Sequence, residues 1–196
     1  MRTTKVREKY DHYIEPMQGV KYGVLDGLDY SNTVILVKLP SDTGLYGYNN
    51  KYYRFARDLR KRTGGTIICS PHYGDETSKQ FDLEVLNQYA WSSKPTFRLI
   101  GVGDGARYCL SYLYHKKSFD RVLVVNMQIS HELGETVELL TQVDKKKVKF
   151  IYGDEDPSYR YTPLLRRLYA DVVTIQNCDH NFTGRTSTFV GLKDFM

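Results

Sequence analysis

Three short stretches of this chain gather the residue types that move protons or present reactive groups. They are Gly101-Val102-Gly103-Asp104-Gly105, Gly153-Asp154-Glu155-Asp156-Pro157 and Asn177-Cys178-Asp179-His180-Asn181-Phe182. The first lies between an apolar run and a helix pattern, a setting that serves two chemical devices. One is a G-x-nucleophile-x-G elbow, which holds a reactive side chain on a sharp turn above a sheet. The other is the G-x-G-x-x-A turn that receives a dinucleotide pyrophosphate at a helix start. Gly101, Gly103 and Ala106 satisfy the second pattern on paper. It also needs an acid at the end of the next strand to hold a ribose, and that strand ends Val125-Asn126-Met127. A phosphate loop fails, because no Gly-Lys-Ser/Thr follows the glycines. His72, Asp75 and Glu76 share one loop but lack a fourth partner, so no metal is expected there.

Elements of regular spacing must hold these stretches. Runs at 20–25, 33–39, 66–69, 97–100, 121–126, 148–152 and 171–175 read as strands. The run TVILVKL at 33–39 is nearly continuous in apolar character, which places it mid-sheet. Helix patterns cover about 50–62, 78–91, 135–141 and 162–169, and a further one begins at Ala106. From residue 33 onward, six strands alternate with helices, which predicts a mostly parallel sheet in a three-layer α/β/α sandwich. The functional loops then stand at the C-terminal ends of strands, where open α/β sheets collect their chemistry.

Composition narrows the function classes. With 196 residues, 41% hydrophobic and 26% charged, the chain reads as one domain over 1–196, with residues 1–12 polar and loosely held. No apolar run reaches the roughly 18–20 residues a membrane span needs. The basic N-terminus has no signal-type apolar segment behind it, so the expected location is the cytoplasm. Cys69, Cys109 and Cys178 are too few and too scattered for a disulfide framework and read as free thiols. A net charge of +5 is spread over short basic clusters at helix ends and loops, and the seventeen tyrosines form no nucleic-acid motif. Neither nucleic acid nor membrane is an expected partner.

The order of elbow, acid and histidine resembles the α/β-hydrolase superfamily. Leu99 to Ala106 resembles its strand and nucleophile elbow, and Phe150 to Pro157 its acid loop. Asp179-His180-Asn181-Phe182 resembles its histidine loop, and Cys69 to Gly74 the turn after its fourth strand. The resemblance spans roughly 33–182 and implies a small, cap-less α/β-hydrolase fold that needs no cofactor. Carried over residue by residue, the acid falls on Asp156, the base on His180 and the nucleophile position on Gly103, which has no side chain. Without Oγ or Sγ no acyl-enzyme can form.

A shift of one residue would make Asp104 a carboxylate nucleophile, as in haloalkane-dehalogenase-like members, but Val102 and Ala106 then stand where glycines are wanted. Ser41, Ser70 or Cys178 are other substitutes. For the oxyanion, Pro40 has no N–H, which leaves the backbone N–H groups of Ser41 or Asp42 together with Asp104. The resemblance implies an esterase-type hydrolase of small acyl compounds with a degenerate triad. The alternative is a non-catalytic protein that binds a ligand or partner in the old active-site cleft.

Overall fold

The run 33–39 forms a strand, β3 (Thr33–Leu39), with every residue from Val34 onward buried. A strand covered on both faces needs apolar side chains at successive positions rather than at alternate ones, and that explains the pattern. The computed structural model describes residues 9–28, 31–71, 76–89, 94–114, 119–129, 133–168 and 170–196. Around β3 stand β1 (His12–Met17), β2 (Val20–Leu25), β4 (Thr66–Pro71), β5 (Thr96–Val102), β6 (Phe119–Val125), β7 (Val148–Gly153) and β8 (Asp171–Ile175). They form one eight-stranded sheet in the order β1-β2-β4-β3-β5-β6-β7-β8. From β4 to β8 all neighbours pair parallel, while β2 is antiparallel to both β1 and β4.

Among the described residues, six α-helices cover the sheet: α1 (Lys51–Thr63), α2 (Glu76–Gln88), α3 (Asp104–Tyr114), α4 (Leu133–Gln142), α5 (Thr162–Arg167) and α6 (Thr186–Gly191). The pleat sends alternate side chains into two cores. Val34, Leu36, Leu99 and Val124 meet Leu86 of α2, Leu110 of α3, Leu140 of α4 and Leu165 of α5. Ile35, Val37, Ile100 and Val125 meet Phe55 and Leu59 of α1 and Phe189 of α6. This is an α/β/α three-layer sandwich. Among the described residues, no helix is long and apolar enough to cross a membrane.

Several boundaries move relative to the sequence reading. The strands expected at 66–69 and 97–100 extend to Pro71 and to 96–102, and that expected at 121–126 lies at 119–125. The helices expected at 78–91 and 162–169 stop at Gln88 and Arg167. The largest departure lies at Tyr10 and the strand that follows it. Tyr10 is 1% exposed, its ring fills the space beside Gly23, and its hydroxyl donates to the Leu45 carbonyl at 2.8 Å. His12–Met17 then runs as an edge strand against β2. Its sequence, HYIEPM, offers no apolar alternation to read, because only one strand flanks it and most of it faces water.

One polar group breaks the apolar run of β3. Lys38 is 1% exposed, and its Nζ reaches Asp82 of α2 at 2.8 Å and Ser70 of β4 at 3.3 Å. The Tyr22 hydroxyl donates to Asp82 Oδ1 at 2.8 Å, and the Tyr112 hydroxyl donates to Oδ2. Burial and the Asp82 charge raise the Tyr112 pKa, so its hydroxyl stays protonated as a donor. Two strands and helix α3 thus converge on the Asp82 carboxylate of α2. Removing one member leaves a buried charge without its partner, so Lys38→Met should cost about 3–5 kcal/mol of stability. Urea unfolding measures it, and a loss below about 1 kcal/mol would show that the pair does not hold these layers together.

Candidate functional site

The elbow forms where β5 ends and α3 begins. Gly103 has φ 59, in the left-handed region that costs a side-chain-bearing residue free energy. Its N–H donates to the Val125 carbonyl at 2.9 Å, and its carbonyl accepts the Ala106 N–H at 3.2 Å. The flanking glycines have a different reason. A Cβ on Gly101 would collide with Ala106, and one on Gly105 would lie 2.7 Å from the Lys38 carbonyl oxygen. At Gly103 itself the atoms nearest to a Cβ are Pro40 Cγ at 3.3 Å, His180 Nε2 at 3.5 Å and Pro40 Cβ at 3.8 Å. A side chain there would point at the histidine.

His180 stands in the loop after β8, and Asp156 in the loop after β7. The Nδ1–H of His180 donates to Asp156 Oδ2 at 2.6 Å. The Asp156 side chain is fully buried, and its other oxygen accepts the Ser158 N–H at 2.6 Å, which caps the short 3₁₀ turn Pro157–Tyr161. Both oxygens are therefore fixed, and so is the ring they orient. The bond to Asp156 raises the His180 pKa above 6.5; burial opposes it, and the charges of Asp156, Asp104 and Asp179 add to it.

Asn126, just past β6, links the two loops. It is fully buried, with φ 48. Its Nδ2 donates to the carbonyls of Asp179 at 3.1 Å and His180 at 2.8 Å, while its Oδ1 accepts the Gly153 N–H at 2.9 Å. Sequence reasoning placed Asn126 inside a strand and assigned it nothing. The available signal was an asparagine at a strand's C-terminal end, a residue that tolerates left-handed backbone and carries both a donor and an acceptor. The loops also touch directly. A Cβ on Gly153 would collide with the Cys178 carbonyl, which accepts the Glu155 N–H at 3.0 Å. Asp179 Oδ1 accepts the N–H groups of Thr183 at 2.8 Å and Asn181 at 3.1 Å, and Lys51 of α1 donates to the Asn181 carbonyl at 2.5 Å.

The remaining candidates lie elsewhere or face one another. Ser41 Oγ donates to Asp104 Oδ2 at 2.7 Å, and the Ser41 N–H lies 3.3 Å from Asp104 Oδ1. The Ser41 amide that the sequence offers to an oxyanion therefore faces a carboxylate. Asp104 makes its hydrogen bonds to Ser41 and not to His180. Ser70 belongs to the Lys38 network inside the core, and Cys178 is buried, with burial the first cause that raises its thiol pKa. His72, Asp75, His115 and His131, with the turn at 72–74, lie outside the described residues. Among the described residues, no group of three His, Cys, Asp or Glu side chains could hold a metal ion.

No protein-family model and no curated protein matches the chain. Solved structures do. An alpha-beta serine hydrolase homologue from Coxiella burnetii superposes with a TM-score of 0.72 at 15% identity, covering 94% of this chain and 96% of that one. Est1E from Butyrivibrio proteoclasticus gives 0.67 at 14%, with coverage of 94% and 96%. XC6422 from Xanthomonas campestris, described as an a/b serine hydrolase without lid, gives 0.65 at 19%, with coverage of 90% and 87%. The likeness establishes the α/β-hydrolase fold.

The Asp156–His180 bond sets a measurable titration. NMR of the imidazole should give a folded pKa above 6.5, and Asp156→Asn should lower it. Because the folded value is raised, the bond contributes stability that is full below pH 6.5 and is lost as pH rises through the folded pKa. An unchanged His180 titration in Asp156→Asn would show that the carboxylate does not hold the ring. Asn126→Asp keeps the size and one acceptor but loses both donated bonds. It should broaden or shift the His180 signals while the fold, read by circular dichroism, persists.

Proposed function

We propose that this α/β-hydrolase-fold chain binds a small molecule non-covalently in the cleft over Gly103. In this reading it keeps Asp156 and His180 but carries out no acyl-enzyme chemistry. The observation that carries the reading is the 3.5 Å separation between His180 Nε2 and a Cβ built on Gly103. The base aims at the nucleophile position of an elbow, and that position holds only hydrogen. Acyl transfer needs an atom there that can attack and leave again. Water activated by His180 would be the remaining route to hydrolysis. Such a route still develops negative charge on the substrate oxygen, and here the Asp104 carboxylate sits on the Ser41 donors. Loss of a single oxyanion donor costs roughly 10²–10³ in rate, and a carboxylate in its place costs more.

The second reading is an esterase-type hydrolase of small acyl compounds. The observation in its favour is the fully formed Asp156–His180 pair, which a purely structural loop does not require. In either reading the ligand is a small molecule. The three cysteines are all free and buried, which agrees with a reducing compartment and supports a cytoplasmic placement.

Hydrolysis of a short-chain nitrophenyl ester by four proteins separates the readings. The unaltered chain should show no turnover that depends on His180, so His180→Ala leaves its rate unchanged. Gly103→Ser should gain turnover, and Gly103→Ser with His180→Ala should lose it again. The gained rate should climb with pH through the raised His180 pKa, since only the neutral ring accepts the serine proton. A rate in the unaltered chain that falls in His180→Ala establishes the hydrolase reading instead. An inert Gly103→Ser would overturn the assignment of Gly103 to the nucleophile position.

A further inference from the structure

We propose that two copies of this chain join along the outer edge of β8, antiparallel and about a two-fold axis at Val173, so that their sheets become one. β8 is the last strand of the sheet, and among the described residues no strand pairs with its outer side. The Asp154 N–H donates to the Ile175 carbonyl at 3.0 Å. That turns the backbone groups of Ile175, and by the two-residue period those of Val173, toward β7. The N–H and C=O groups of Val172 and Thr174 therefore point outward. Such a row is a template for another strand unless the chain blunts it with proline, charge or a bulge. The opposite edge of the sheet is blunted: β1 carries Glu15 and Pro16, and its register breaks between Ile14 and Met17. From Val172 to Ile175 β8 has none of these devices, and each of its side chains there is half-buried.

Register and charge identify the partner as a second copy. The Ala170 N–H is given to the Leu165 carbonyl, so an axis at Val172, which needs residue 170 in the ladder, is closed. An axis at Val173 sets Val172 opposite Thr174 of the other copy, where both exchange N–H and C=O, and brings the two Val173 residues together as a close pair. The same rotation lays the N-terminal end of each β8 beside the C-terminal end of the other. The first end is basic, with Lys145 and Lys146 before β7 and Arg166 and Arg167 in the last turn of α5. Asp171 is already paired there with Lys149 at 2.8 Å, and the Asp144 side chain caps the turn at Lys145–Lys147. Around Cys178 at the other end, the charges of Asp154, Asp179 and Glu155 stand against that of Arg185. Opposite charges thus meet on both sides of the axis. Strand pairing alone is small beside the about 800 Å² per partner that a stable dimer buries. An open groove of about 790 Å³, lined by Val143, Asp144, Lys145, Lys146, Ala170 and Asp171, lies at the basic end and receives the partner's loop after β7.

Sedimentation equilibrium from micromolar to submillimolar concentration tests this pairing. The unaltered chain should rise from the 22.8 kDa of one copy toward twice that mass. Thr174→Pro removes an outward N–H and leaves the ladder to β7 intact. It should weaken association by about tenfold or more, because the axis counts the lost bond in both copies. Thr174→Val loses only the hydroxyl bond to Arg166 and should associate as before. Crosslinking reads the register. The native cysteines are buried, so mild oxidation should join Val173→Cys into a disulfide-linked pair, since a close antiparallel pair has the Cα separation a disulfide needs. Val172→Cys, which faces Thr174 of the other copy, should stay uncrosslinked. If circular dichroism shows that Thr174→Pro does not fold, the two cysteine variants decide. A single-copy mass at every concentration overturns the pairing. So does association that a folded Thr174→Pro leaves unweakened, a loss in Thr174→Val as large as in Thr174→Pro, or crosslinking of Val172→Cys as ready as that of Val173→Cys.

Discussion

The side-chain amide of Asn126 is the joint on which the site depends. It stands at the end of β6 and reaches across to the loops that follow β7 and β8, accepting from Gly153 and donating to the carbonyls of Asp179 and His180. A buried amide with three satisfied bonds cannot shift without leaving polar groups unpaired, and each such loss costs about 1–3 kcal/mol. The loops that carry the acid and the histidine are therefore held to the sheet. The 2.6 Å bond from His180 to Asp156 follows from where that joint puts their backbones. The close packing of Gly153 against Cys178 works in the same direction, because it allows no Cβ between the two loops.

Against that rigid half, the elbow and the loop after β3 are chemically unusual. Gly103 keeps the left-handed backbone of a strained elbow while carrying nothing to present. Its neighbour Asp104 turns to Ser41, so the positive end of α3 and the Ser41 donors are satisfied from within the chain. The bonded Asp156–His180 pair thus faces a position without a side chain, next to the Asp104 carboxylate that Ser41 holds.

The same elbow rests on an unusual support. Gly105 lies so close to Lys38 that a Cβ would be 2.7 Å from its carbonyl oxygen, and the Lys38 side chain runs into the core to Asp82. The cation and the carboxylate are both desolvated, and Tyr22, Tyr112 and Ser70 complete their hydrogen bonding. Such a cluster specifies how β3, α2 and α3 pack, because a sliding helix would leave a buried charge unmatched.

The sequence by itself determined the layers, seven of the eight strands to within a few residues, and the chain order of elbow, acid and histidine. These are local or periodic properties: an apolar run, a glycine turn, a helix stripe. It also showed that Gly103 lacks a side chain, a matter of composition. The pairing of Asp156 with His180 across 24 positions of the chain, the clamp of Asn126, the turn of Asp104 onto Ser41 and the burial of Lys38 were decided only by the tertiary structure. Each depends on which strand ends become neighbours and on where a side chain of ordinary type points once they do. The edge strand at His12–Met17 was hidden for a related reason. With most of its residues facing water, its place comes from β2 and from the burial of Tyr10, not from a pattern of its own.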